Sequence, residues 1–223
     1  ATTGAHAGVL DIGSVMGGAN VFTAGNFTAN SSDVEGAIVS GGSVSIASYA
    51  VNQNGKAAYC GYAVAAGGNL FLENGAISNG KTYAGGTTTL KGAAQTPGTT
   101  VSPVDFAAAT KQFKDIAAGL SLVASTGTVT RQYSANQVTG SGKGGVDVFN
   151  VNADFFNGGD NWMLSGLSAG QTLIFNIGGK QGGFNGGNIG FEPLSGYNVL
   201  FNFYEAETIN VRGIIGSVLA PYA

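Results

Sequence analysis

The hydrophobic pattern between residues 24 and 90 repeats one short phrase four times. In each copy a glycine or glycine pair precedes alternating apolar and polar residues, at Ala24-Gly25-Asn26-Phe27-Thr28, Ser40-Gly41-Gly42-Ser43-Val44, Ala66-Gly67-Gly68-Asn69-Leu70 and Ala84-Gly85-Gly86-Thr87-Thr88. The first glycines, at positions 25, 41, 67 and 85, lie 16, 26 and 18 residues apart. A nearly constant spacing with one longer step predicts stacked repeats that carry one insertion.

The repeat predicts a coil of short strands. Glycine accepts a positive φ and a close approach of neighbouring backbone, so the glycine pair suits a corner, and the period of two after it turns every second side chain inward. About 18 residues make one turn of a parallel β-solenoid, whose rungs stack at roughly 4.8 Å. We therefore expect a mainly β fold, a parallel β-solenoid (β-helix), with a glycine-rich antiparallel sandwich as the alternative.

One long helix is predicted after these repeats, over about residues 103 to 124. Ser102 suits the N-cap, Pro103 the first helical position, and Asp105 the third position after the cap. Apolar residues then recur every three or four positions, at Phe106, Ala109, Phe113, Ile116, Leu120 and Val123. We expect this apolar stripe to pack along one side of the coil.

Strand-like segments resume after the helix, over about residues 128 to 220. They alternate clearly at 146–151, 162–164, 173–177, 199–203, 209–211 and 213–221. We expect the coil to resume there, so that residues 1–223 form one domain with its first rungs over about residues 20 to 90. A further strand is expected at residues 9–12, ahead of the first rung.

Composition narrows the class of protein. Only 9% of the 223 residues are charged, 43% are hydrophobic and 39 are glycine, a balance found in many secreted β-rich proteins. The net charge is −3 and the nine basic residues are scattered, so no nucleic-acid partner is expected. No apolar run approaches the roughly 20 residues of a membrane span. We expect no cofactor.

The longer step between repeats places an insertion at residues 47 to 62, which we expect to bulge from one corner of the coil. It carries Tyr49, Tyr59 and Tyr62, which either form a contact surface or pack back on the rungs. Cys60 is the one cysteine, so no internal disulfide is available. It is either an inert buried thiol, an intermolecular bridge or a reactive thiol, for example in a thioester with a glutamine.

The order of these motifs resembles the bacterial choice-of-anchor A domain. The resemblance rests on Asn20-Val21-Phe22, Gly25-Asn26-Phe27, Ser32-Asp33-Val34-Glu35-Gly36, the glycine pairs, Pro103-Val104-Asp105-Phe106, Val148-Phe149-Asn150-Val151, Val199-Leu200-Phe201-Asn202-Phe203 and Gly216-Ser217-Val218-Leu219-Ala220-Pro221. It implies an exported domain of bacterial surface proteins, located outside the cell or on its surface, without catalytic residues. Two departures are the longer repeat around Cys60 and the missing continuation through a further rung and anchor after Pro221-Tyr222-Ala223.

The function expected is that of a non-enzymatic extracellular surface or matrix protein, which acts by adhesion or by self-assembly into fibres. The last rungs of a solenoid expose unpaired backbone groups unless they are capped, and such an edge is a template for another chain. The expected partners are therefore further copies of this chain or other matrix components.

Two alternatives belong to other classes of function. Ice binding needs a regular face of small residues, often threonine, but Thr87-Thr88-Thr89 has no threonine ladder below it: the matching positions are Asn26-Phe27-Thr28, Ser43-Val44-Ser45 and Asn69-Leu70-Phe71. Carbohydrate binding could use Trp162 or the tyrosines of the insertion, unless the tryptophan belongs to the core.

The sequence predicts no catalytic or metal site. The nearest acidic pairs, Asp33 with Glu35 and Glu205 with Glu207, are expected on solvated strand faces. His6 is the one histidine and lies near a terminus. A calcium site could be built from a cluster of oxygen-bearing residues that matches no loop with fixed ligand positions: Asp147, Asn150, Asn152 and Asp154.

Overall fold

The computed structural model of this chain describes residues 16–94, 97–153, 161–184, 190–210 and 214–223. The α-helix α1 spans Phe106–Ser121. The strands are β1 Ala19–Thr23, β2 Phe27–Ser40, β3 Val44–Lys56, β4 Tyr62–Ala66, β5 Leu70–Glu73, β6 Ala76–Ile77, β7 Lys81–Ala84, β8 Thr88–Lys91, β9 Gly98–Thr99, β10 Thr128–Gln132, β11 Ala135–Thr139, β12 Val146–Asn152, β13 Asn161–Ser165, β14 Thr172–Gly178, β15 Gln181–Gly183, β16 Asn198–Asn202, β17 Thr208–Asn210 and β18 Ser217–Ala220. The strand predicted at residues 9–12, His6 and Asp154 lie outside the described residues.

The strands form the three walls of a parallel coil. In the first wall the order is β12-β14-β16-β18-β1-β2-β4-β7-β9, with β2 contributing residues 37–40. The second wall contains residues 27–30 of β2 with β3, β5 and β8, and separately β15 with β17. The third wall contains residues 32–34 of β2 with β3 and β6, and β11 with β13. The predicted parallel β-solenoid with one helix along its side is confirmed, and the antiparallel sandwich is wrong.

The chain enters this coil in its middle. The early half, residues 19–99, starts at β1 and adds one rung after another up to β9, which lies at one end of the coil. After α1 the late half, residues 128–220, begins at the opposite end with β12 and steps back through β14 and β16. The last strand, β18, then pairs with the first, β1, with Val218 opposite Val21. The coil resumes after the helix as predicted, but from the far end.

The repeated phrase forms the first corner of the coil. A Cβ atom on Gly41, Gly67 or Gly85 would lie 2.4, 2.3 or 2.3 Å from the carbonyl oxygen of the residue one rung below, so no other residue fits. The second glycines form a column in which each N–H donates to the carbonyl below, from Gly86 to Gly68 and from Gly68 to Gly42. We call this the glycine column.

The second corner is a column of residues in the left-handed conformation. Ser31, Ser48, Asn74 and Gly92 follow successive strands of the second wall with φ of 55, 49, 47 and 56°. Small polar residues and glycine adopt this conformation at low cost. This explains why serine, asparagine and glycine all occur in this column, so that no single residue type marks the corner in the sequence.

Helix α1 begins at Phe106, with Asp105 as its N-cap. The Asp105 carboxylate accepts hydrogen bonds from the backbone N–H groups of Ala107 and Ala108, each at 3.0 Å. The prediction that Ser102 caps the helix is wrong, because the Ser102 hydroxyl donates to the Val104 carbonyl at 2.7 Å and closes a turn before the helix. The predicted apolar stripe faces the first wall, with Ala109 and Phe113 buried and Phe106, Ile116 and Leu120 partly buried. The prediction is wrong at Val123, which lies beyond the last helical residue, Ser121, and is exposed.

The carbonyls near the end of α1 are bound by an asparagine ladder. Asn150, Asn176 and Asn202 are stacked in register on β12, β14 and β16. Their side-chain amides donate to the carbonyls of Val123, Leu120 and Ala117 at 2.9, 2.7 and 3.0 Å. Neighbouring asparagines also bond to each other at 2.8 Å. Three helical residues rise about 4.5 Å, which nearly equals the spacing of about 4.8 Å between strands. The asparagine on each successive strand therefore meets a carbonyl three residues away from the previous one.

The interior of the coil changes character between the halves. Phe149, Phe175 and Phe201 stack on one another in the late half, with ring centroids 5.0 and 5.4 Å apart. The same inward column continues in the early half as Val21, Ile38 and Val64, all buried. The first wall is thus buried on both faces, inside by these columns and outside by α1.

Candidate interaction surfaces

Two of the three candidate contact tyrosines pack against the rungs. Tyr49 is 5% exposed and lies in the third wall, where its hydroxyl donates to the Asp33 carbonyl at 2.9 Å. Tyr62 is 8% exposed and opens β4, with its hydroxyl donating to the Val101 carbonyl. Burial raises the pKa of the Tyr49 phenol, and the negative charge of Asp33 raises it further. Of the two placements expected, packing back on the coil describes Tyr49 and Tyr62.

The insertion is shorter than predicted and begins later. Residues 47–51 continue the wall in register with β2 and β5, so the extra residues are 53–61, after the corner residue Asn52. They end in a tight turn in which the Ala58 and Tyr62 backbones bond to each other. The reason is that Tyr49 and Val51 fill inward positions of the rung, which a projecting loop would leave empty.

Cys60 lies at the tip of this turn. It is exposed and free, and Tyr59, Cys60 and Gly61 all have positive φ, of 43, 60 and 124°. The inert buried thiol is therefore wrong, whereas the reactive thiol and the intermolecular bridge stay predictions. Tyr59 is half-buried: its ring lies on Gly17 and its N–H donates to the Gly17 carbonyl, and burial raises its pKa. A contact role for Tyr59 stays a prediction.

Asp147, the first residue of the candidate calcium cluster, is bound within the structure by hydrogen bonds. Asp147 is buried and accepts hydrogen bonds from Thr126, Ser141 and Gln171 at 2.6, 3.0 and 2.6 Å. Burial by itself raises the pKa of this carboxyl, but those three bonds outweigh burial and lower it. Among the described residues no group of histidine, cysteine or acidic side chains is arranged to hold a metal ion.

The acidic pairs lie at the surface with local partners. Glu35 is exposed and accepts from the Asn54 amide, and burial followed by its hydrogen bond with Asp33 raises its pKa. Glu207 pairs with Lys180 at 2.6 Å, and Glu205 accepts from the Gly179 N–H. These arrangements account for each pair without a substrate.

The outward row of the second wall is irregular. Strand register places Thr28, Ser45, Phe71 and Thr89 directly above one another, as the repeat predicts. A flat ladder of threonines is absent because Phe71 stands in the row, with the Lys91 ammonium 5.2 Å from its ring. Trp162, the candidate for stacking a sugar, is 5% exposed and packs on Phe175 and Phe201, so it belongs to the core.

The two ends of the coil differ. At the early end β8 is exposed along its whole length and pairs with β5 alone among the described strands. We call this edge the open end. At the late end the outer edge of β12 is covered, since Thr126 donates its N–H to the Val148 carbonyl and accepts from the Val148 N–H through its hydroxyl. The antiparallel strand β10 covers β11 beside it.

A notch interrupts the second wall between the two halves. It is a cavity of about 770 Å³ bounded by residues 27–30 of β2 on one side and by β17 on the other. Its apolar lining includes Phe27, Tyr49, Phe184 and Ile209, and the last two residues, Tyr222 and Ala223, also line it. We call it the wall notch. The notch lies on the rung of β18. In the first wall β18 stands between β16 and β1. The chain passes from β16 to β17 and from β1 to β2 in the second wall, but no described second-wall strand follows β18.

Neither strand that borders the wall notch has a described partner strand on that side. Within the described residues the 27–34 part of β2 pairs with β3 alone, and β17 pairs with β15 alone. The Phe27 N–H donates to the Ser43 carbonyl at 2.8 Å, toward β3. Successive residues of a strand direct their backbone groups to opposite sides, so those of Thr28 and Asn30 face the notch. Because β16, β18 and β1 are consecutive in the first wall, β17 and residues 27–30 of β2 lie two rungs apart, which is the separation that one further strand would span.

The fold is a parallel β-solenoid with one helix packed along its side. The chain belongs to the family described as "Putative Ice-binding-like adhesive domain", whose family model matches residues 13–223. The family indicates an adhesive surface domain, as the sequence predicts, but it does not single out the choice-of-anchor A domain.

No curated protein and no solved structure matches this chain. Over the described part of the chain, α1 lacks the length and the apolar character that crossing a bilayer would require.

Proposed function

We propose that this protein is a non-enzymatic structural component of the bacterial cell surface or extracellular matrix, which adheres by contact and assembles into fibres. Membership of an adhesive domain family supports the adhesive role and a location outside the cell. The narrower assignment to the exported choice-of-anchor A domains rests on the order of the sequence motifs. Further copies of the chain, or other matrix components, are the partners.

The observation that carries this proposal is the set of strand edges without a described partner strand, at the open end and in the wall notch. Exposed edges normally carry lysine, proline or a covering segment that prevents pairing between molecules. Here only 9% of the residues are charged, and the strand segment 27–30 at the notch contains neither lysine nor proline. Edge-to-edge addition of another chain is therefore favoured by main-chain hydrogen bonds at the notch, whereas β8 at the open end carries one lysine, Lys91.

Negative-stain electron microscopy of the purified 223-residue chain, with both termini intact, tests the proposal. We expect ordered fibres that become more abundant with protein concentration. Dispersed single particles at high concentration would count against assembly and leave an adhesin that acts as a monomer.

Two proline variants identify the edge that is used. Thr28→Pro removes a backbone donor that faces the wall notch, and Thr88→Pro removes one at the open end. Proline is tolerated where the lost N–H has no partner, so each variant should fold. Loss of fibres with Thr28→Pro alone assigns assembly to the notch, and loss with Thr88→Pro alone assigns it to the open end.

A further inference from the structure

The Asp147 carboxylate joins two side chains of complementary reactivity at the late end of the coil. Its Oδ1 accepts the hydroxyl of Thr126 at 2.6 Å, and its Oδ2 accepts the side-chain amide of Gln171 at 2.6 Å. The Ser141 N–H, at 3.0 Å from Oδ2, holds the carboxylate in place. A hydroxyl becomes a nucleophile when a base accepts its proton, and a primary amide can be attacked at its carbon with ammonia as the leaving group. The three side chains therefore supply a nucleophile, a base and an electrophile for acyl transfer.

The Gln171 amide is also polarised by the backbone. Its Oε1 accepts the Ser168 N–H at 2.9 Å. A backbone donor at this position stabilises the negative charge that develops on the oxygen when the amide carbon is attacked. Gln171 is 3% exposed and Asp147 is fully buried, so these hydrogen bonds act in surroundings of low polarity, where they are strong.

Two contacts with Val148 hold Thr126 at the carboxylate. The Thr126 N–H donates to the Val148 carbonyl at 2.9 Å, and the Thr126 hydroxyl accepts from the Val148 N–H at 2.9 Å. A hydroxyl oxygen has two lone pairs, so one remains for attack on a carbon. Although burial raises the pKa of Asp147, its hydrogen bonds lower it below the ordinary value. The carboxyl is therefore ionised near neutral pH and able to accept the hydroxyl proton.

We propose that Thr126 and Gln171 form an ester cross-link within the chain, with Asp147 as the base. Oγ1 of Thr126 attacks Cδ of Gln171 and gives its proton to the Asp147 carboxylate. The bond between Cδ and Nε2 then breaks, and Asp147 passes the proton to the departing nitrogen, which leaves as ammonia. One hydroxyl and one amide become one ester and one ammonia, so the reaction is balanced without a further reactant.

The cross-link would fasten the cap of the late end to the wall behind it. Thr126 covers the outer edge of β12, and Gln171 directly precedes β14, the strand that pairs with β12 on its inner side. An ester between them encloses β12, so the cap can no longer separate from that strand. The inference goes beyond the proposed function and does not depend on assembly into fibres.

Mass spectrometry of the purified 223-residue chain tests the cross-link. We expect an intact mass that is lower than that of the sequence by one ammonia. Trypsin cleaves after Lys114, Arg131, Lys143 and Lys180. Peptides 115–131 and 144–180 should therefore be recovered as one joined species. Brief alkaline hydrolysis cleaves an ester and spares amide bonds, so it should separate the two peptides and leave a carboxylate in place of the Gln171 amide.

Two results would overturn the proposal. An intact mass equal to that of the sequence, with peptides 115–131 and 144–180 recovered separately, would show that no cross-link forms. A carboxylate at Gln171 before any alkaline treatment, without a link to Thr126, would show that water is the attacking group.

Single substitutions tie the reaction to the proposed groups. Thr126→Val removes the nucleophile at an exposed position, and Asp147→Asn removes the base, so both variants should have the full mass of their sequences. Thr128→Val, on the exposed strand β10, is the matched control and should still lose ammonia. Circular dichroism checks that each variant is folded; should Asp147→Asn fail to fold, Thr126→Val carries the test alone. A cross-link that persists in Thr126→Val would refute the assignment of the nucleophile.

Discussion

The early and late halves of the coil use the same two columns of the first wall with different chemistry. Inside the coil, stacked Phe149, Phe175 and Phe201 in the late half give way to branched aliphatic residues in the early half. Outside, beneath α1, the asparagine ladder of the late half gives way to Leu219 and Phe22. The change falls at the step from β16 to β18 in both columns.

The position of α1 explains this difference. The helix begins over the early half, where Phe106 stacks on Tyr83, and ends over the late half. A carbonyl oxygen has two lone pairs, and the carbonyls of Ala117, Leu120 and Val123 each accept a side-chain amide hydrogen bond from the wall beneath the end of α1. Only the half beneath that end needs amide side chains, so the early half uses apolar ones. The chemistry of a wall therefore follows what is packed on it, although the strands are alike.

The largest test of this comparison is Phe175→Ala. It removes the middle ring of the aromatic stack and leaves a cavity, so we expect a loss of about 4 kcal/mol in the free energy of unfolding. Ile38→Val, at the equivalent inward position of the early half, should cost about 1 kcal/mol. Urea unfolding of both variants measures the two losses, and a loss at Phe175 no larger than the loss at Ile38 would contradict the buried aromatic stack as a main contribution to stability in the late half.

Asp147→Asn should be next in size, at about 3 kcal/mol, because the amide cannot accept all the hydrogen bonds that the carboxylate receives. The pKa of Asp147 is lowered by folding, so its stabilisation is present above the ordinary pKa of about 3.9 and is lost as the pH falls through the folded value. Unfolding measured from pH 6 to pH 2 should show a decline below about pH 4. The variant should lack that part of the decline.

Asn176→Ala should cost about 2 kcal/mol, since it removes the hydrogen bonds of Asn176 to the Leu120 carbonyl, to Asn150 and to Asn202. Asn198→Ala, which removes one exposed hydrogen bond to Gly170, is the control and should change stability by less than about 0.5 kcal/mol. Hydrogen exchange would locate the effect at the end of α1. Protection that is lost equally along the whole helix would argue against a local ladder.

Asp105→Ala should cost about 1 kcal/mol through the lost N-cap. Ser102→Ala tests the residue that the sequence pattern favoured, and should be nearly neutral because its hydroxyl closes only an exposed turn. Thermal unfolding of the two variants compares them directly. A larger effect at Ser102 would contradict the cap geometry.

Local features were predictable from the sequence, and features set by distant contacts were not. The glycine pairs predicted a corner of the coil, and the spacing of Phe106, Ala109 and Phe113 predicted a helix. The meeting of β18 with β1 joins residues about two hundred positions apart, and no local pattern encodes it. The N-cap was missed because Ser102 and Asp105 are both good caps, and the choice depends on where the helix meets the wall.

The candidate site was predicted only in part. Unpaired strand edges were expected at the ends of the coil, whereas one end is covered by Thr126 and β10, and the wall notch lies in the middle. Sequence alone could not place the notch, since its position follows from the strand order. The burial of Tyr49 could have been found from its spacing to Val51, because both occupy inward positions two residues apart.

The asparagine ladder also limits how such a protein can grow. Three residues of α-helix advance about 4.5 Å but turn by only about 300°, so each step along the ladder aims the next carbonyl some 60° further from the wall. Over the two steps between the three asparagines the acceptor direction turns by about 120°, and α1 ends at Ser121, so no further helical acceptor follows. A duplicated rung in the late half would thus have to be matched by an altered helix, whereas added rungs at the open end would not. We expect variation in length to accumulate at the open end.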